Sequence, residues 1–133
     1  MSLKITFAEP RAPWPRVPTP FATLVDASCR EQPTFEEVRQ ASLPLIEAGC
    51  TYFVCYGVHS EAVHDFIDDC IAVREVEQET LQGDTIMTTF HHQESARNVA
   101  EFFMNCALLG MQGALIITRE EGQWASLCER SGA

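Results

Sequence analysis

The chain reads as a three-layer α/β domain: a mostly parallel four-stranded sheet with helices on its faces. Three observations predict this. Apolar runs of strand length alternate with amphipathic helical stretches in a βαβαβαβ succession. The connections between them are short. The strand runs are continuously apolar rather than alternating, as expected where helices cover both faces of a sheet.

Residues 1–20 form a proline-rich N-terminal arm, and residues 21–133 form a single domain. Lys4–Ala8 has the composition of a short edge strand. Five of the seven prolines lie between Pro10 and Pro20, a density that forbids a helix or a central strand and favours an extended, polyproline-like path. Trp14 and Val17 are placed to press this arm onto the domain. Phe21–Asp26 is the first core strand. Thr34 and Glu37 have capping-box spacing and open a helix to about Ala48. Its apolar residues Phe35, Val38, Leu45 and Ile46 share one face. Pro44 is expected to kink or locally loosen it, and Gly49 to stop it in the left-handed position.

Residues 51–57 form the second core strand. Ser60 is expected to cap a helix that buries Val63, Phe66, Ile67, Cys70 and Ile71. The charged stretch 74–79, with Gly83 and Asp84, reads as a solvated connection. Residues 85–90 form the third strand. Ser95 caps a helix that buries Val99, Phe102, Phe103 and Cys106 and ends near Gly110. Residues 113–118 form the fourth strand, 119–122 a turn, and 123–128 an antiparallel C-terminal edge strand. With right-handed crossovers, core-strand orders 2-1-3-4 and 3-2-1-4 both fit.

At 133 residues, one domain buries about two thirds of its unfolded surface. A hydrophobic content of 46% with 21% charged residues is ordinary for a globular protein. No stretch approaches the roughly 20 apolar residues of a membrane span. The first residues lack the apolar core and cleavage site of a secretory signal, so a cytoplasmic location is expected. The cysteines at 29, 50, 55, 70, 106 and 128 contain no Cys-x-x-Cys pair and read as reduced thiols packed as small hydrophobes.

The net charge is −10 and unevenly spread: residues 1–30 sum to +2 and residues 31–133 to −12. Such a body repels phosphate backbones, which argues against nucleic-acid binding. A basic protein partner, or a cation, is its natural complement, and homo-oligomerisation is compatible with the composition.

In a parallel sheet the carboxyl edge is where open α/β folds bind ligands. There the sequence gathers Asp26 and Ser28, then Tyr56, His59 and Glu61, then His91, His92 and Glu94, then Thr118. Imidazoles beside carboxylates suit a divalent metal, or a His–Glu general base. Glu61 and Glu94 also have a sufficient explanation as helix-start residues beside the positive end of the dipole. On the second helix His64, Asp65, Asp68 and Asp69 mark a polar, acidic side. Glu61-x-x-His64 has di-metal carboxylate spacing, but no second copy exists to complete such a site. Glycine-rich dinucleotide and phosphate loops are missing, and Lys4 is the single lysine. Cys55 precedes His59, a Cys–His arrangement set inside an apolar run.

The segment Ala48-Gly49-Cys50-Thr51-Tyr52-x-x-x-Tyr56-Gly57, followed by Ser60-Glu61-x-x-His64-Asp65-x-x-Asp68, resembles a group of small bacterial α/β domains without assigned function. The resemblance covers about a fifth of the chain. It implies a bacterial origin and a compact α/β domain, and it carries over no catalytic residue. Two functional expectations follow from the whole reading. One is a non-catalytic binding or regulatory (immunity-type) module. The other is a metal-binding protein or metal-dependent hydrolase using His59, His91, His92 and Glu94. No cofactor is expected beyond a divalent metal in the second case.

Overall fold

The structure, a computed structural model, describes residues 3–10, 15, 17–28, 34–78 and 86–132, without the side chains of 76–78 and 130–132. Its elements run β1 (Lys4–Ala8), β2 (Phe21–Asp26), α1 (Phe35–Ala48), β3 (Cys50–Tyr56), α2 (Ser60–Gln78), β4 (Met87–His91), α3 (Ala96–Leu108), β5 (Gly113–Ile117) and α4 (Glu121–Gly132). All pairings are parallel, in the order β1-β5-β2-β3-β4. The four core strands therefore take the 3-2-1-4 alternative, and β1 adds a fifth strand outside β5.

The period-two geometry of a strand explains the continuous apolar runs. Phe21 and Val25, Phe53 and Cys55, and Leu115 and Ile117 face the layer of α1 and α2. Ala22 and Leu24, Val54, and Ala114 and Ile116 face the layer of α3 and α4. From β2 the chain steps outward to β3 and β4, then returns to β5 on the other side of β2. Right-handed crossovers in opposite directions place their helices on opposite faces, which accounts for the three layers.

The helix ends follow the local chemistry. At α1, Glu37 donates its backbone N–H to the Thr34 hydroxyl at 3.2 Å, and Thr34 donates its own to the Glu37 carboxylate, completing the capping box. Gly49 closes the helix at φ +111°. Pro44 lies inside α1 on its exposed side, and the helix continues through it to Ala48. Ser95 caps α3 by accepting the Asn98 N–H at 3.1 Å. Phe35 is 39% exposed rather than part of the buried stripe, and packs edge-on against Phe66.

Three expectations are corrected. Residues 123–128 are helical, not an antiparallel strand: Trp124, Leu127 and Cys128 recur at helical spacing and pack together on the α3 side of the sheet. Charged residues 74–78 continue α2 rather than leaving it, since Arg, Glu and Gln are good helix formers. Ser60 is the first residue of α2 instead of its cap, and among the described residues its buried hydroxyl has no hydrogen-bond partner. The role expected of Trp14 lies outside the described residues, while Val17 is buried in the core on the α1–α2 face. Cys50, Cys55, Cys70, Cys106 and Cys128 are free thiols. Among the described residues, no helix is long and apolar enough to cross a membrane.

Candidate functional site

Strand order reverses between β2 and β5, so their carboxyl ends form the topological switch point where open α/β sheets bind ligands. Asp26 ends β2 at this point, and its carboxylate is fully engaged by the protein itself. Ser28 donates its backbone N–H at 3.2 Å and its hydroxyl at 2.5 Å to Oδ1. The Thr118 hydroxyl donates to Oδ2 at 2.7 Å, and the Trp124 indole N–H donates to the same oxygen at 3.1 Å. A carboxylate offers about four lone-pair sites, so these four donors fill it. The Thr118 hydroxyl also accepts the Glu120 N–H at 2.9 Å just before α4 begins. Trp124 is completely buried and lies edge-on to Tyr56, ring centroids 5.2 Å apart. The crevice thus holds a latch joining β2, β5 and α4. Asp26, Ser28, Tyr56 and Thr118 are the residues expected here from strand ends; Trp124 is not among them, because residues 123–128 also fit a strand period.

The turn after β3, which carries His59 and leads to Glu61, meets the end of β4, which leads to His92 and Glu94. Gly57 donates its N–H to the His91 carbonyl at 3.2 Å, and His59 donates its own to the Ala27 carbonyl at 3.1 Å. Gly57 sits at φ +108°, and a Cβ there would lie 2.7–2.8 Å from the Ala27–Ser28 backbone, so this approach needs glycine. The side chains, however, do not converge. His91 is held through Nδ1 by Glu94 at 2.5 Å and through Nε2 by the Thr89 hydroxyl at 3.0 Å, with its ring against Phe102. Both ring nitrogens are engaged, and the ring is 10% exposed. Glu61 is exposed in the first turn of α2, and His92 is exposed and stacked on Phe90. Among the described residues, no three His, Cys, Asp or Glu side chains are grouped to hold a metal ion. The Cys55 thiol is fully buried, and desolvation pushes it far above the ordinary thiol range, so it does not serve as the nucleophile of a Cys–His pair.

The flank formed by α2 and β4 is built differently. His64 lies between Asp65 (Nδ1, 2.9 Å) and Asp68 (Nε2, 3.4 Å). Asp68 also accepts from the Thr88 hydroxyl on β4. Rings continue outward from His64 to Phe90, centroids 4.9 Å apart, and on to His92 at 5.8 Å. Glu61, Asp65, Asp68, Asp69 and Glu75 are all exposed along α2. Among the described residues, the imidazole of His64 lies against two of them, and no lysine or arginine pairs with them. At the opposite, amino end of the sheet, an open depression of about 300 Å³ is lined by Pro20, Tyr52, Met87, Leu109 and Met111.

The chain belongs to a family described as a domain of unknown function (DUF7684), whose model matches residues 4–122. No curated protein and no solved structure matches it.

Proposed function

We propose that this member of a family without assigned activity is a non-catalytic binding module. It engages a basic protein partner through the acidic face of α2, with His64, Asp65, Asp68 and Asp69 at the contact. The observation that carries this reading is the state of Asp26. The position where an α/β sheet would ordinarily receive a ligand is occupied by the protein's own hydrogen bonds. The acids of α2, by contrast, point to water without Lys or Arg partners among the described residues. A regulatory or immunity-type protein that neutralises a basic target, acting in the bacterial cytoplasm, has this distribution of charge. The same charge disfavours nucleic acid.

The alternative reading, a metal site or hydrolase at His59, His91, His92 and Glu94, draws support from the short His91–Glu94 contact but requires His91 to release a partner it already holds.

Octalysine is the probe that tests the acidic face. It should bind the wild type and lose about tenfold or more in affinity against Asp65→Lys/Asp68→Lys/Asp69→Lys, a factor of ten corresponding to about 1.4 kcal/mol. Reversal of Glu36, Glu37 and Glu47 on α1 should leave affinity within about a factor of two, with circular dichroism confirming that both variants fold. Equal losses in the two variants would mean unspecific attraction and would remove the proposal.

A further inference from the structure

A parallel sheet with β4 at its end exposes one side of that strand. Gly57 donates to the His91 carbonyl, so His91 turns its backbone groups toward β3, and by the two-residue repeat so do Thr89 and Met87. Thr88 and Phe90 turn theirs outward. Among the described residues no other strand pairs with β4, so these groups form an open template for another strand.

The two faces beside this edge differ in chemistry. On the α2 face, Asp68 is tied to Thr88, Asp65 holds His64, and the His64–Phe90–His92 rings form a ladder ending at the edge. On the α3 face, Met87 is 47% exposed and borders the depression that Leu109, itself 83% exposed, helps to line. A strand laid along β4 would therefore place alternate side chains over carboxylates and over apolar surface.

We infer that β4 receives an added strand from the partner, an extended segment whose side chains alternate between basic and apolar. Main-chain hydrogen bonds to Thr88 and Phe90 supply affinity, and the two dissimilar faces set the register. The inference rests on the basic-partner reading above and adds its mode of recognition. A second copy of this chain is the disfavoured occupant: a two-fold β4–β4 pairing would set one acidic α2 row beside the other in a protein of net charge −10.

The test uses a fluorescein-labelled octapeptide of four Val-Lys repeats, read by fluorescence anisotropy. Its comparators are a Val-Glu octapeptide, a block peptide of four valines followed by four lysines, and two N-methylated Val-Lys isomers. One isomer is methylated on every valine nitrogen, the other on every lysine nitrogen, so each has one edge blocked. The alternating basic peptide should bind most tightly, and one methylated isomer should lose about tenfold or more while the other keeps its affinity. Which isomer fails reports whether the added strand is parallel or antiparallel. Exchange of the Thr88 and Phe90 amides should slow in the complex. Equal affinity of the two methylated isomers, or equal binding of block and alternating peptides, overturns strand addition while leaving the basic-partner reading in place. Binding of the Val-Glu peptide as tightly as the basic ones overturns that reading instead. A dimer in sedimentation that the Val-Lys peptide does not dissociate would assign the edge to a second copy and overturn the inference.

Discussion

The switch point between β2 and β5 and the outer flank of α2 and β4 are both rich in carboxylates and hydroxyls, yet they treat them in opposite ways. At the switch point, Asp26 is half-buried and spends its acceptor capacity on Ser28, Thr118 and Trp124. On the flank, Asp65 and Asp68 share one imidazole, Asp68 accepts a threonine hydroxyl, and Asp69 stands exposed beside them. Hydrogen bonds to a charged group contribute about 1.5–3 kcal/mol each when shielded, whereas exposed ion pairs contribute about 0–1 kcal/mol. The first carboxylate therefore contributes to holding the fold together, whereas the second set contributes little to it. A position that the fold makes suitable for a ligand is not thereby a ligand site; what matters is whether its polar groups are already satisfied.

The sharpest way to break this contrast is to remove the latch. Trp124→Ala should cost about 4 kcal/mol in urea unfolding, through the lost ring volume and the freed Asp26 oxygen. Asp26→Ala should cost about 3 kcal/mol, because it strands the buried Thr118 hydroxyl and Trp124 N–H. Asp65→Asn and Asp69→Asn should change stability by no more than about 0.5 kcal/mol. Comparable losses in both regions would erase the distinction.

Much of the fold was legible because hydrophobic period and capping chemistry are local. Thr34 and Glu37 marked the start of α1, Gly49 its end and Ser95 the start of α3, and each acts through residues no more than four positions away. The C-terminal helix was not legible in the same way. Six residues containing Trp124, Leu127 and Cys128 fit either period until the α3 layer supplies a surface for them. The site follows the same logic. Asp26 and Thr118 were expected at one edge from strand ends alone, but their 92-residue separation makes the bond between them a consequence of strand order, which the sequence left open.

The thiols sharpen the contrast at a smaller scale. Burial pushes Cys50 and Cys128 up to about 11 from an ordinary 9.0. The folded state therefore keeps protons that the unfolded chain loses first. Stability from this source is complete below about pH 9 and falls as pH rises toward 11. Urea unfolding at pH 8, 9.5 and 10.5 should give midpoints that decline in that order, and a rising midpoint would contradict the assigned burial. Half-exposed Cys106 should be alkylated by iodoacetamide before Cys50, Cys55 or Cys128.

Metal titration is expected to give the smallest effect. Zinc, manganese or nickel at about 100 times a true dissociation constant would stabilise a single site by about 2.7 kcal/mol. No such thermal shift is expected. A shift that disappears in His91→Ala would favour the metal reading of the carboxyl edge.

Amide chemical-shift mapping tests most directly whether β4 and the acidic face of α2, rather than the Asp26 crevice, form the binding surface. Titration of the ¹⁵N-labelled protein with the Val-Lys octapeptide should perturb Thr88, Phe90, Asp65 and Asp68 most strongly and leave Asp26, Ser28 and Thr118 unmoved. Perturbations centred on Asp26, Ser28 and Thr118, with β4 silent, would contradict it.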